Sequence, residues 1–324
     1  MIKAEAKDLG FFACGIAEAC PTDIATATAV RRWIEKGAHA GMAYMAANME
    51  KRLDPRLLMP GAKSMVCVAL NYAPALSLPE SEPRISAYAL GKDYHDIVKD
   101  KLRQLAARLQ LTPYGQEGDI SYRIFCDTAP VLERYWAQKA GLGWIGRNHQ
   151  LIIPHAGSMF FLGEMLLDIT LEYDSQTPNR CGKCHACLDA CPTGALQKDT
   201  SGTTGNGLPY FDSSLCISYQ TIENRGEIPR HIAEKMQMSI YGCDRCQTAC
   251  PWNRFASPTG EPLLQPSEEL QGMTMERWNR LTVEEYRRLF KGSAVKRTKY
   301  EGLTRNIRIV NDNIINKRRN NGKG

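Results

Sequence analysis

The chain has 324 residues, is 43% hydrophobic and carries a formal net charge of +6. That length supports two domains or one large one with a proper core. No apolar run approaches the ~18 residues of a membrane span, and the opening Met1-Ile-Lys-Ala-Glu mixes charges, unlike a signal peptide, so a soluble, cytoplasmic protein is expected.

Residues 4–9 read as a helix closed by Gly10, and residues 11–16 as a short strand. Thr22-Asp23 opens a helix over 25–36 that ends at Gly37. Residues 51–60 are punctuated by Pro55 and Pro60, which predicts a loop or short turns. The continuous apolar run 64–70 marks a buried strand, and a proline-rich loop follows over 74–83. Apolar residues at Ile97, Val98, Leu102, Leu105 and Leu109 give residues 94–111 helical spacing. Residues 122–126 form a short strand ending at Asp127, and 131–140 a helix closed by Gly141. Residues 150–154 and 159–169 read as two strands joined at His155-Ala-Gly157. Alternating strands and helices predict an α/β or α+β domain over residues 1–170.

Two residues in this domain stand out. A carboxyl at the end of a buried strand suits a general acid with a raised pKa; Asp127 is also placed to cap the helix that follows. His95 is either a ligand or a surface histidine near a helix start. The Asp93-x-His95 pair lacks the glycine that a cobalt-ligating Asp-x-His-x-x-Gly motif would have, because Val98 stands there. Gly141-Leu-Gly-Trp-Ile-Gly146 has dinucleotide-motif spacing but follows a helix, so it reads as a turn.

The densest chemistry lies between Cys181 and Cys250. Cys181, Cys184, Cys187 and Cys191-Pro192 have the C-x2-C-x2-C-x3-C-P spacing of a bacterial ferredoxin half-site. Cys243, Cys246 and Cys250-Pro251 repeat its ending, with the missing cysteine displaced to Cys216. In two-cluster ferredoxins the cysteine before proline serves the neighbouring cluster. Cys181, Cys184, Cys187 and Cys250 are thus assigned to one 4Fe-4S cluster, and Cys191, Cys216, Cys243 and Cys246 to the other. Zinc or disulfides are the alternatives, and two C-P endings with exchanged fourth ligands suit zinc poorly. A two-cluster ferredoxin-like domain is expected over 171–260, with a loop at 201–207 and a helix over 230–238. Residues 261–324 form a helical segment, including a helix at 282–290, with a basic tail. Ten Lys or Arg between 291 and 324 face only Glu301 and Asp312. Such a tail suits a polyanion, or is simply a solvated terminus.

The strings Asp127-Thr-Ala-Pro-Val-Leu-Glu-Arg134, Ala140-Gly-Leu-Gly-Trp-Ile-Gly-Arg-Asn148, Tyr241-Gly-Cys-Asp-Arg-Cys-Gln-Thr-Ala-Cys-Pro-Trp-Asn253 and Lys51-Arg-Leu-Asp-Pro-Arg-Leu-Leu-Met-Pro60 occur in that family's order and together resemble the epoxyqueuosine reductases. The resemblance implies an N-terminal cobalamin-binding domain related to reductive dehalogenases, with no histidine under the cobalt. It implies reduction of epoxyqueuosine to queuosine in the anticodon stem-loop of tRNA. Electrons would come from a donor such as a ferredoxin or flavodoxin and pass through both clusters to cobalamin. Opening the epoxide leaves an alkoxide, and the resemblance makes Asp127 its proton donor. It also implies that Arg52, Ser86, Asp127, Asn148, Ser218, Cys243 and Asp244 contact cobalamin, and that Arg134 and Arg225 contact tRNA. Because Ser218 follows Cys216 closely and Asp244 adjoins Cys243, the cluster of Cys191, Cys216, Cys243 and Cys246 is expected next to the cobalt. Longer members of the family continue into helical repeats that this chain lacks, which gives the basic tail a role in gripping tRNA. A monomer is expected. The alternatives are a ferredoxin-like electron carrier with a docking domain and a small-molecule cobalamin dehalogenase.

Overall fold

The computed structural model describes residues 1–76, 78–79, 81–197 and 207–321. Its first half is built around two apolar strands, Ser64–Asn71 and Phe160–Leu167. Val66, Cys67, Val68, Ala69, Met165, Leu166 and Leu167 have no exposed surface. A strand that is apolar on both faces must be covered on both. The two strands pair antiparallel at the centre of a five-stranded sheet. Ala13–Glu18 adds to one side, Ser121–Phe125 to the other, and Thr112–Pro113 lies parallel at the far edge. Alternation then divides the side chains. Val66, Val68, Leu70, Met165 and Leu167 pack towards the helix Tyr94–Arg108. Cys67, Ala69, Leu162 and Leu166 pack towards the helix Glu133–Lys139. The result is the expected mixed α/β architecture.

Several local expectations need correction. Residues 150–154 and 159–169 are not a hairpin. Leu151–Ile152 pairs with Trp144–Ile145 in a ribbon of its own. The turn after it closes on itself through the Ile153–Gly157 bridge, so the chain re-enters the main sheet only at Phe160. The helix expected over 230–238 ends at Ala233. Gln237 adopts a positive φ of 51°, and Ser239–Tyr241 is drawn into a parallel pair with Arg84–Ile85. The expected loop at 201–207 lies, apart from Gly207, outside the described residues.

The second half shares its core with part of the first. Ile85, Ala89 and Leu90 pack with Ile217, Ile240, Tyr241, Trp278 and Phe290. The C-terminal helix Lys299–Asn321 lays Leu303, Ile307 and Val310 into this core. The basic tail is therefore largely a packed helix. Two of its cations are engaged internally: Arg305 donates to the carbonyls of Gln220 and Asn224 at 2.8 Å each, and Arg297 grips Glu223 at 2.9 and 2.8 Å.

A buried polar network joins the second cysteine block to the sheet. Asn253 accepts from the Ser158 N–H at 2.6 Å and donates to the Gln247 carbonyl at 2.6 Å. Gln247 in turn donates to Tyr72 and to the Ser158 carbonyl, both at 3.0 Å. Gly157 is needed here: its φ is +88°, and a Cβ would lie 2.2 Å from the Asn253 amide oxygen.

Candidate active site

Asp127 lies where the strand Ser121–Phe125 leaves the sheet. Its φ is +56°, the left-handed region, which costs a non-glycine residue about 1–2 kcal/mol. The conformation is held from behind, because the Asp127 N–H donates to the Glu133 carboxylate. Asp127 does not cap the next helix. That helix begins at Glu133 with Leu132 in the cap position and no side-chain cap.

The freed carboxylate faces the start of the helix Tyr94–Arg108. Tyr94 donates its hydroxyl to Asp127 Oδ2 at 2.6 Å, and His95 Nε2 lies 3.2 Å from the same oxygen. His95 Nδ1 is held at 2.6 Å by Asp93, which also caps the helix. Burial pulls the His95 imidazole down, but hydrogen bonds to Asp127 and Asp93 carry it up to about 9. Burial raises the Asp127 carboxyl, yet the hydrogen bonds from His95 and Tyr94 and the charges of His95 and Arg134 take it below its ordinary value. Its side chain is 56% exposed although desolvation acts on it. The expectation of a neutral Asp127 with a raised pKa is thus corrected. Asp127 is an ionised carboxylate and the proton rests on His95. Burial and the Asp127 charge push the Tyr94 hydroxyl far up, so it stays a donor.

Behind Asp127 lie two further carboxyls. Glu164 stands at the centre of the sheet, opposite Cys67 on one neighbouring strand and Phe125 on the other. It has no exposed surface, and neither of its oxygens has a protein N–H or O–H donor. Burial and the Glu133 charge push it up strongly. Burial and the Asp127 charge raise Glu133 to about 7.

Arg52 is 6% exposed; one guanidinium nitrogen donates to the Tyr44 carbonyl at 2.9 Å, and its Nε is buried without a partner. Tyr44 in turn feels the charges of Glu223, Arg297 and Asp127. The buried Ser86 hydroxyl has no hydrogen bond of acceptable geometry. Asp244 accepts from the Ala87 N–H at 2.8 Å, and burial raises its carboxyl. Asn148 is buried and committed to the fold: its amide donates to the Cys246 carbonyl at 3.2 Å and accepts from the Gln150 N–H. Ser218 is half-buried on the helix Ile217–Ile222, just beyond Cys216. Arg134 is exposed beside Asp127. Arg225 is exposed but donates to the carbonyls of Ile222 and Arg297 at 3.2 and 2.7 Å.

The cysteines converge in two neighbouring sets. Burial raises Cys187 to about 11, and the thiols that add to this are Cys250, Cys181 and Cys184. Burial raises Cys246 further, with contributions from Cys243, Cys216, Cys187 and Cys191. Cys187 thus lies near both sets. Backbone N–H groups of Leu196, Thr193 and Ala195 point at Cys191 and, against burial, lower it. Trp144 Nε1 donates to Cys181 Sγ at 3.4 Å. Among the described residues no three His, Cys, Asp or Glu side chains close on a single ion. Buried thiolates raised by one another need a cation to ionise, which a cluster supplies.

Residues 52–128 match the family described as "Epoxyqueuosine reductase QueG, DUF1730", and residues 180–253 match the "4Fe-4S double cluster binding domain". An epoxyqueuosine reductase of Leadbetterella byssophila is 46% identical over 96% of this chain and 97% of its own length. The chain belongs to the epoxyqueuosine reductase family. A second family member, from Pseudomonas aeruginosa, is 39% identical over 95% of this chain and 83% of its own. Among solved structures, an epoxyqueuosine reductase with an epoxyqueuosine-modified tRNA-Tyr stem loop superposes with a TM-score of 0.83, at 28% identity, over 95% of this chain and 79% of that one. The epoxyqueuosine reductase of Streptococcus thermophilus gives 0.83 over 97% and 80%. The chain spans nearly the whole length of the first of these relatives and about four fifths of the others. Residue-by-residue reading did not assign roles to Tyr94, Glu133 or Glu164, and left His95 open. Glu164 carried one signal, a lone carboxylate inside the apolar run 159–169.

Proposed function

We infer that this protein reduces epoxyqueuosine to queuosine in the anticodon stem-loop of tRNA, with Asp127 passing the proton. The observation that carries the reading is the Tyr94–Asp127–His95 constellation, an open carboxylate beside a protonated imidazole. The balanced reaction takes two electrons and two protons and releases the epoxide oxygen as water. A protonated His95 gives Asp127 a proton to hand on at neutral pH, and Tyr94 keeps the receiving oxygen oriented. The second proton comes from solvent through the exposed face of the same recess.

The residues fit two 4Fe-4S clusters with the exchanged ligand sets, Cys181, Cys184, Cys187 and Cys250 in one and Cys191, Cys216, Cys243 and Cys246 in the other. They also fit cobalamin, which when bound supplies the electron pair that opens the epoxide. Arg52 offers a buried Nε with no hydrogen-bond partner in the protein, as a polar macrocycle and its side-chain amides would need. Cys243, Asp244, Ser218 and Asn148 line the approach to the second cysteine set. Arg134 suits a splayed base or phosphate of the anticodon loop, and Arg225 and the exposed cations of the last helix a phosphate further out. A small acidic electron carrier suits the exposed cations Arg180 and Lys183 around Cys181 and Cys184. No described helix is long and apolar enough to cross a membrane, which accords with a cytoplasmic enzyme; a monomer would suffice for every contact above.

The test is direct. The purified protein, loaded with iron, sulfide and cobalamin and given a reductant, is incubated with an epoxyqueuosine-bearing stem-loop. Nucleoside mass spectrometry should show a product lighter by one oxygen. A protein that binds two clusters, ignores cobalamin and leaves the nucleoside unchanged is an electron carrier, and the reading fails.

A further inference from the structure

Glu133 and Glu164 are buried titratable groups that the proposed reaction does not use. Glu133 starts the helix packed on one face of the sheet, and Glu164 rises from the central strand beneath it. The Glu133 carboxylate accepts the Asp127 N–H, in the one backbone segment that must stay left-handed for the Asp127 side chain to face Tyr94 and His95. Glu164 lies among Cys67, Phe125, Leu162 and Leu166, and the Glu133 carboxyl is the group within hydrogen-bonding reach of it. Two ionised carboxyls in contact there would repel in an apolar medium. The hydrogen that joins them must therefore be carried by one of them.

We propose that Glu133 is a positioning residue that clamps Asp127 in its working conformation, and that Glu164 holds Glu133 in place through one proton shared between the two carboxyls. The proposal rests on the reading of Asp127 as the acid. The ionisable groups facing the pair are Asp127 and Cys126 from the strand end, Cys67 from the neighbouring strand, Arg134 from the Glu133 helix and Tyr94 from the opposite helix. Lys99 acts on Cys126, not directly on the pair. Arg134 is exposed and is the one cation that acts on Glu133. When the shared proton leaves, the carboxylates separate and the clamp loosens.

The experiment uses the cluster- and cobalamin-loaded enzyme. Glu133→Ala should lower kcat by about 10²-fold with KM for the stem-loop unchanged. Glu133→Gln, whose amide oxygen still accepts from Asp127, should recover most of the loss. Wild-type kcat should step down as the pH rises through about 7, and Glu164→Gln should remove that step. In the infrared spectrum, one protonated-carboxyl band should disappear over the same range and be missing from Glu164→Gln. An unchanged kcat in Glu133→Ala, or a step and band that survive in Glu164→Gln, would overturn the proposal. If Glu164→Gln does not fold, a wild-type spectrum with no titrating band overturns it equally. Asp127→Asn, assayed alongside, separates the two readings: wild-type turnover there removes the acid role, while the infrared titration still reports on the carboxyl pair.

Discussion

Replacing His95 by Asn tests where the proton resides. The imidazole is carried from 6.5 to about 9, a preference for the charged ring of roughly 3 kcal/mol. Asp93 and Asp127 share it. His95 is 23% exposed but the Asp127 side chain is 56% exposed, so solvent screening leaves about 1 kcal/mol for the Asp127 contact. Losing it removes an influence that lowers the Asp127 carboxyl, and leaves no charged imidazole to supply that carboxyl with a proton. His95→Asn should therefore lower kcat by about 10²–10⁴-fold, the span of general acid catalysis, with stem-loop binding unchanged. The sign of the pH dependence follows from the raised pKa. The charged imidazole is fully present below its ordinary value and is lost as pH rises through about 9. Wild-type kcat should fall through that pH, as a step distinct from the one assigned to the carboxyl pair, and the variant should lack it. Single-turnover assays of epoxyqueuosine consumption across pH measure both quantities. A variant with wild-type kcat, or one that keeps the step near pH 9, would refute the assignment.

Asp127→Asn should bind cobalamin and the stem-loop normally, by spectral titration and gel shift, and lose turnover at least 10²-fold. Cys191→Ser should lose about half of the iron found by metal analysis, since the other set keeps all four of its thiolates; loss of all or none would contradict the exchanged ligand sets. Reversing charge with Arg180→Glu and Lys183→Glu should slow reduction by an acidic protein donor and flatten its salt dependence, while a small chemical reductant supports the same turnover as before. Leu303→Ala removes a side chain with no exposed surface from the C-terminal core and should cost about 2–5 kcal/mol, read as a lower melting temperature.

Cysteine spacing is a local property. A cluster ligand loop is one short segment, so the half-site at 181–191 and its echo at 243–250 were legible residue by residue as a double-cluster domain. The apolar run at 64–70 likewise marked a buried strand, because a strand covered on both faces favours apolar side chains. Composition said that the C-terminal segment was basic; only packing revealed that Arg297 and Arg305 are consumed within the fold. The acid itself was visible at the end of its strand, but its state of charge was not. Whether Asp127 is neutral depends on Tyr94 and His95, more than thirty residues earlier, and on Glu133 and Glu164 from a helix and a strand that meet only in the folded chain. A pKa is set by the charges and dipoles within a few ångströms, and sequence order does not record that neighbourhood. Only the folded chain brings His95 and Tyr94 onto the Asp127 carboxylate, and those contacts lower it and raise the imidazole.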